Sequence, residues 1–126
     1  MSELKSSPAE LGPGIGDILK WEASHMTRVA VAALAGTKAG ALVGFPLRNH
    51  EPLVALTDEA DGTVVVQPHN CVIDLSLVSA AAIDRALGGT AEAPQTVHDL
   101  AVAGDNYGIV YQSTPINDYV PSVPGE

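Results

Sequence analysis

The stretch that decides the fold is GDILKWEASHMTRVAVAALAGTKAGALVG, residues 16–44. It opens with the period of two that is typical of a strand, in which two sets of residues alternate: Ile18, Lys20 and Glu22 against Asp17, Leu19 and Trp21. An extended pattern returns at residues 27–31, the glycines of residues 36–40 indicate a turn, and residues 41–44 are apolar again. The stretch therefore predicts two or three strands.

A hairpin is predicted downstream of this stretch. Residues 53–56 and 63–67 are short apolar runs that favour strands, and the acidic segment between them ends in Asp61-Gly62, a dipeptide typical of hairpin turns. Pro68 has no amide hydrogen to donate to a ladder, so the second strand is expected either to end there or to run along the edge of a sheet. A further apolar strand is predicted at residues 71–75.

The spacing of apolar residues changes to that of a helix at residues 76–87. Either Ser76 or Ser79 can act as the N-cap, because a serine hydroxyl accepts a hydrogen bond from a free amide of the first turn. Gly88 is placed to end the helix, since glycine adopts the left-handed conformation common just after a helix.

A second helix of about two turns is predicted to start at Thr96-x-x-Asp99, a variant of the capping box, and to end at Gly104. The pattern of residues 107–111 then returns to that of a strand. The expected fold class is mainly β, a small α+β domain of short strands and hairpins with one or two short helices.

The two ends of the chain differ in composition from its middle. Residues 1–15 are rich in Ser, Pro and Gly with few apolar side chains, which predicts a flexible arm, or a frayed terminus without a role. Residues 113–126 contain three prolines, which exclude a helix and predict an extended tail. The core domain is expected to span residues 16–112.

Composition limits the partners of the chain. Fifteen acidic residues against six Lys and Arg give a formal net charge of −9, which opposes binding to nucleic acid phosphates. No apolar run approaches the ~20 residues needed to cross a bilayer, and the N-terminus lacks a secretory pattern. We therefore expect synthesis in a cytoplasm, with neither nucleic acid nor membrane as partner.

The candidates for chemistry are weak. His69 and Cys71 would share one face of a strand, but Cys71 is the single cysteine, and burial beside apolar neighbours would make its thiol unreactive. The glycine-rich residues 12–16 follow no strand and lack the Lys-Ser/Thr of a phosphate loop, so they are interpreted as a hinge. The acidic residues 58–61 supply too few oxygen ligands for an EF-hand. No catalytic residue, cofactor or metal is expected.

The order and spacing of three segments resemble those of phage head decoration proteins of the lambda type. The segments are GDILK at residues 16–20, TRVAV at 27–31 and KAGALVG at 38–44. Weaker similarity continues through residues 52–62, 64–73 and 105–111. The resemblance implies a β-clip-like fold and a homotrimer without enzymatic activity.

The resemblance also implies a function and a partner. Such trimers bind the major capsid protein on the outer surface of an expanded phage head, at three-fold and quasi-three-fold positions. There they stabilise the shell against internal DNA pressure, so the virion is the expected location. The arm would bind by strand addition, and the residues expected to contact the capsid are apolar: Leu11, Ile15, Ile18 and Trp21.

Two parts of the chain depart from the family pattern, residues 88–95 and the tail after Gln112. Both bear on the subunit contacts, and the tail could instead reach a neighbouring decoration trimer. Two alternative functions stay open, an oligomeric structural adaptor and a small trimeric β-clip enzyme of the dUTPase-like kind. The enzyme is disfavoured because no glycine-rich nucleotide motif and no basic triphosphate site are found.

Overall fold

The computed structural model describes residues 15–116, which form a small α+β domain, as the sequence predicts. Single turns of 3₁₀ helix lie at Ile15–Asp17, His25–Thr27 and Pro46–Arg48. The described residues form seven strands and two helices: β1 (Leu19–Glu22), β2 (Val29–Ala32), β3 (Leu42–Phe45), β4 (Glu51–Val54), β5 (Thr63–Val66), β6 (Cys71–Asp74), α1 (Ala80–Ala86), α2 (Val97–Asp105) and β7 (Ile109–Gln112).

The strands are distributed over three small sheets. β6 is the centre of a three-stranded sheet, antiparallel to β1 and parallel to β7. β2 pairs with β5 and β3 pairs with β4, both antiparallel. Residues 16–44 thus supply one strand to each sheet, which confirms the strands predicted there and explains why this stretch organises the domain.

The strict alternation predicted for the first strand is not kept. A bulge shifts the register between Leu19 and Trp21. Ile18, which lies before the strand, and Leu19 are both buried although they are adjacent, whereas Trp21, after the bulge, is exposed. A bulge re-aims the side chains that follow it, and here it turns the tryptophan outward.

The predicted hairpin of residues 53–56 with 63–67 is wrong in its pairing. The Asp61-Gly62 turn forms, with the Ala60 amide donating to the Thr63 carbonyl at 2.9 Å. The Leu56 amide also donates to the Val65 carbonyl at 2.8 Å, but no strand ladder forms between the two segments. The Glu59 amide instead donates to the Thr37 carbonyl at 2.7 Å. The loop between β2 and β3 competes for this backbone, and β4 and β5 pair with β3 and β2.

Both predicted helices are present. Ser79 rather than Ser76 caps α1, accepting a hydrogen bond from the Ala82 amide at 3.1 Å. At the start of α2, the Thr96 amide donates to Asp99 Oδ2 at 2.8 Å, as the capping pattern predicts.

The predicted end of the second helix is wrong, because Gly104 lies inside α2. A Cβ at this position would come within 2.8 Å of the Tyr111 ring and 3.1 Å of the Ile109 carbonyl. Glycine is therefore needed where α2 crosses close to β7, and the chain turns at Gly108, where φ is +73°. Sequence punctuation alone cannot separate a close approach from a helix stop.

The core is aliphatic, as the composition predicts, with Phe45 the buried aromatic side chain among the described residues. It joins all three sheets and both helices. Its largest fully buried side chains come from β4, β5, β7, both helices and the segments that join the elements: Ile18, Leu53, Leu56, Val64, Val66, Leu75, Val78, Ile83, Leu100 and Ile109.

The described part of the predicted tail, residues 113–116, is fixed to the domain. The Ile116 amide donates to the Val78 carbonyl, and the Ala80 amide donates to the Ile116 carbonyl, both at 2.8 Å. These bonds form a parallel bridge between Ile116 and Ser79. Residues 117–126 of the predicted tail, like residues 1–14 of the predicted arm, lie outside the described residues.

Candidate interaction surface

The outer edge of β1 is the first feature of the candidate surface. β1 pairs with β6 along one side, and within residues 15–116 no strand pairs with its other side. An unpaired edge offers backbone donors and acceptors to another chain. The strand is four residues long, carries a bulge and exposes Lys20, features that limit indiscriminate pairing. A partner would therefore need specific side-chain contacts as well.

A groove of about 400 Å³ lies along this strand, and we call it the β1 groove. Its walls come from the first 3₁₀ turn, from β1 and from the arginine that precedes β2: Ile15, Gly16, Leu19, Lys20, Trp21, Glu22 and Arg28. Trp21 is 58% exposed, although it is the largest apolar side chain of the domain. A large exposed aromatic beside a charged pair is the composition typical of a protein-binding surface.

A hydrogen-bond network holds the polar wall of the β1 groove in place. The Arg28 guanidinium donates to both carboxylate oxygens of Glu22, with Nε at 3.1 and 3.0 Å. Gln67 Nε2 donates to Glu22 Oε2 at 2.7 Å, and the Thr27 hydroxyl donates to Gln67 Oε1 at 2.7 Å. Gln67 is buried, so the network ties β1 to the end of β5.

These contacts fix the charge states of the network. Hydrogen bonds from Arg28 hold the pKa of Glu22 below its usual range, against the opposing effect of burial and with a further contribution from Gln67. The same interaction raises the pKa of Arg28. Both side chains are thus charged at neutral pH and bound to each other, which leaves the wall rigid rather than strongly charged.

We expect Glu22→Gln to reduce the free energy of unfolding by about 1–2 kcal/mol at pH 7, the usual contribution of hydrogen bonds to a charged group. Because folding lowers the pKa of Glu22, its contribution is present above the unfolded pKa of about 4.3 and is lost as pH falls through the folded pKa. The difference between wild type and variant should therefore shrink between pH 6 and pH 3.

Urea denaturation at several pH values measures this difference. Glu92→Gln, in the exposed loop before α2, provides a control for the loss of one negative charge. A difference between wild type and Glu22→Gln that stays constant across the pH range would contradict the assigned role of Glu22.

The four residues expected to bind a capsid have different positions. Ile15 and Trp21 both line the β1 groove, and Ile15 also packs against the core. Ile18 is 0% exposed and part of the core, so it is not available to a partner. It lies between the first 3₁₀ turn and β1, and its backbone is held by hydrogen bonds to Ile15 and Asp74. Leu11 lies outside the described residues.

Sequence analysis did not identify the network as part of the surface. In the sequence, Arg28 falls within the strand pattern of residues 27–31, and Glu22 falls within the alternation of residues 17–22. Gln67 lies 45 residues from Glu22 in the chain, and nothing in the local sequence links the two. A polar residue at the end of the apolar run before Pro68 was the one available signal.

Cys71, whose burial the sequence suggests but does not decide, is buried and not available for chemistry at the surface. Its side chain is 1% exposed, and burial raises the pKa of the thiol to about 12. Among residues 15–116, no group of three or more His, Cys, Asp or Glu side chains is arranged to hold a metal ion.

The acidic turn of residues 58–61 has a structural role. Asp58 Oδ1 accepts a hydrogen bond from the Ala39 amide at 2.9 Å, and the Glu59 carboxylate accepts from the amides of Gly36 and Gly62 at 3.2 and 2.7 Å. These acids therefore hold together the two loops that flank β2 and β5.

Arg48 is held between two aromatic rings. Its guanidinium carbon lies 3.5 Å from the centroid of Tyr107 and 5.1 Å from that of Phe45, and Nε donates to Glu51 at 2.9 Å. The side chain is 14% exposed. Arg48 thus joins the loop after β3 to the loop before β7.

Comparisons of the chain with protein-family models, with curated proteins and with solved structures found no match. No helix within the described residues is long and apolar enough to cross a membrane.

Proposed function

We propose that this chain is a phage capsid decoration protein that binds the major capsid protein on the outside of an expanded head. The proposal rests on the resemblance of residues 16–20, 27–31 and 38–44, together with one structural observation. That observation is the edge of β1 that pairs with no strand within residues 15–116, together with the exposed Trp21, near the point where residues 1–14 join the domain. The role is non-catalytic, and the virion is its location.

Binding would combine strand addition with an aromatic anchor. A capsid segment pairs its backbone with the outer edge of β1, and its apolar side chains enter the β1 groove against Trp21 and Ile15. Residues 1–14, with Leu11, continue from the same end of the groove and extend the contact. The Glu22–Arg28 pair forms the polar rim, which supplies specificity more than affinity.

We further propose a homotrimer with a β-clip-like arrangement of the small sheets. Three surfaces on one trimer would engage three capsid subunits at a three-fold position. Linkage of three weak contacts raises the overall affinity by ~10²-fold or more through effective concentration. A protein that binds only the expanded shell stabilises that shell by mass action.

Co-sedimentation with heads of the phage that encodes the chain tests the proposal. We expect the full chain to pellet with expanded heads, near one copy per capsid subunit, and not with unexpanded heads. Deletion of residues 1–14 should abolish pelleting. Trp21→Ala should weaken binding by about 30-fold or more, because truncation of a central aromatic anchor costs ~2 kcal/mol or more.

Leu34→Ala is the matched control, since Leu34 is 85% exposed but lies outside the β1 groove. It should bind like wild type. If the full chain pellets with neither shell, the decoration function is wrong and an oligomeric structural adaptor becomes the better proposal. If Leu34→Ala is as defective as Trp21→Ala, the β1 groove is not the binding surface.

A further inference from the structure

A second groove lies on the helical side of the domain, away from β1. It has a volume of about 400 Å³ and is lined by α1, by the start of α2 and by the chain after β7, through Ala80, Ile83, Pro94, Val97, Thr114 and Pro115. We call it the α1–α2 groove. The polar side chains of Gln95 and Thr96 also line the groove, but five of its eight lining residues are apolar and so is most of its lining surface, so the groove fits an apolar occupant.

The volume of the α1–α2 groove is in the range of ~300–1,000 Å³ found for sites that bury ligand-sized apolar groups. An aromatic side chain with a branched aliphatic neighbour is of that size. The groove is open to solvent in the described residues, and Val97 in its wall is 37% exposed. Filling it would remove apolar surface from water, which is favourable.

The chain itself carries a fitting segment at the mouth of this groove. The described residues end at Ile116, which directly follows the wall residues Thr114 and Pro115. The ten residues beyond, NDYVPSVPGE, contain one aromatic residue, Tyr119, followed by Val120. We infer that the α1–α2 groove is the docking site of this C-terminal segment, with Tyr119 and Val120 as its occupants.

Reach and sequence both favour this occupant. Tyr119 lies three residues after Ile116, and an extended chain covers at most ~3.6 Å per residue, so it stays within about 11 Å of the anchored backbone. Asn117-Asp118, the two residues between, are types that favour turns. A β-turn from Ile116 to Tyr119 would bring the chain back within ~7 Å of its start, over the wall formed by Thr114 and Pro115.

The prolines of the segment determine how it would bind. Pro121 and Pro124 lack amide donors, so the segment cannot form a full strand ladder and would bind through side chains, as proline-rich segments do. The short connection from Ile116 gives the chain's own segment an effective concentration in the millimolar range or above. The same segment of another copy would be at a disadvantage. The inference concerns contacts within one chain and does not depend on the proposed function.

Disulfide trapping in the full chain tests this inference. We compare Val97→Cys with Val120→Cys against Leu34→Cys with Val120→Cys, under mild oxidation, by non-reducing mass analysis. Cys71 stays in place because it is buried. A disulfide within one chain should form at least ten times faster for the first pair. Equal rates, or disulfides formed only between chains, would overturn the inference.

Thiol labelling gives a second, independent readout. With Val97→Cys alone, removal of residues 117–126 should increase the labelling rate at position 97 by about tenfold or more, because the segment no longer covers the groove. With Leu34→Cys alone, the same truncation should leave labelling at position 34 unchanged. The buried Cys71 should stay unlabelled in every truncated variant, which shows that the shortened chain stays folded. An unchanged rate at position 97, with the Leu34→Cys control also unchanged, would contradict docking.

Discussion

Gly40→Ala is expected to destabilise the domain by about 2–5 kcal/mol. Gly40 has a φ of +96°, where an L-residue with a Cβ is strained by ~1–2 kcal/mol. The added Cβ would also lie 2.7 Å from the backbone oxygen of Leu77, so the chain between β6 and α1 would have to move. Overpacking of this kind costs a further ~1–3 kcal/mol. The Gly40 amide also donates to the Ala55 carbonyl at 2.8 Å, so movement disturbs the start of β3.

Gly36→Ala is the matched control for this prediction. Gly36 lies in the preceding turn of the same loop with a similar φ of +87°, but nothing lies within 4 Å of a Cβ placed there. Its substitution should cost only the conformational strain, about 1–2 kcal/mol. Urea denaturation of the two variants measures both losses of stability, and their difference gives the cost of the close contact with Leu77 separately from the conformational strain. Equal losses would show that the close approach to Leu77 contributes nothing.

The thiol of Cys71 is expected to react with a disulfide reagent at least ~10³-fold more slowly in the folded protein than a free cysteine does at pH 8. With a pKa of about 12, the thiolate fraction is roughly 10⁻⁴, whereas an ordinary thiol of pKa ~8.5 is about one quarter ionised. The side chain is also 1% exposed, so the reagent cannot reach it without local opening. In urea, where the protein is unfolded, Cys71 should react with the reagent as fast as a free cysteine does.

A second cysteine gives this measurement an internal standard. Ala32→Cys places a thiol on β2 at an exposed position of the same chain. The thiol at position 32 should react at the rate of a free cysteine. The thiol of Cys71 should react only when the protein unfolds. Rapid reaction of both thiols in the folded protein would contradict the burial of Cys71. It would also contradict the position of the central strand β6 in the core.

Local signals were the most reliable part of the sequence. Ser79, the Thr96–Asp99 pair and the Asp61-Gly62 turn all act within a few residues, through hydrogen bonds from side chains to nearby backbone or through the φ that glycine permits. Such interactions depend little on the rest of the fold. The existence of the strands and helices was therefore predictable, whereas the burial of Cys71 was suggested by its apolar neighbours but not decided by the sequence.

The partners of the strands were not predictable. Adjacent apolar runs separated by a turn favour a hairpin. In the structure, however, β4 pairs with β3 and β5 pairs with β2, strands that precede both of them. The choice depends on which of several edges gives the better combined packing, and no local pattern contains that competition. The role of Gly104 was missed for the same reason, since its constraint comes from Tyr111 on another element.

The candidate surface shows the same division. From residues 16–44 alone, the sequence determined that a strand begins near Ile18, that Trp21 lies within it, and that a charged glutamate and arginine stand nearby. Only the tertiary structure decided that Ile18 is buried, that a bulge turns Trp21 outward, and that Gln67 at the end of β5 holds Glu22 in place beside Arg28. Sequence fixes which groups are available, whereas their exposure and contacts depend on elements distant in the chain that meet only when the domain is folded.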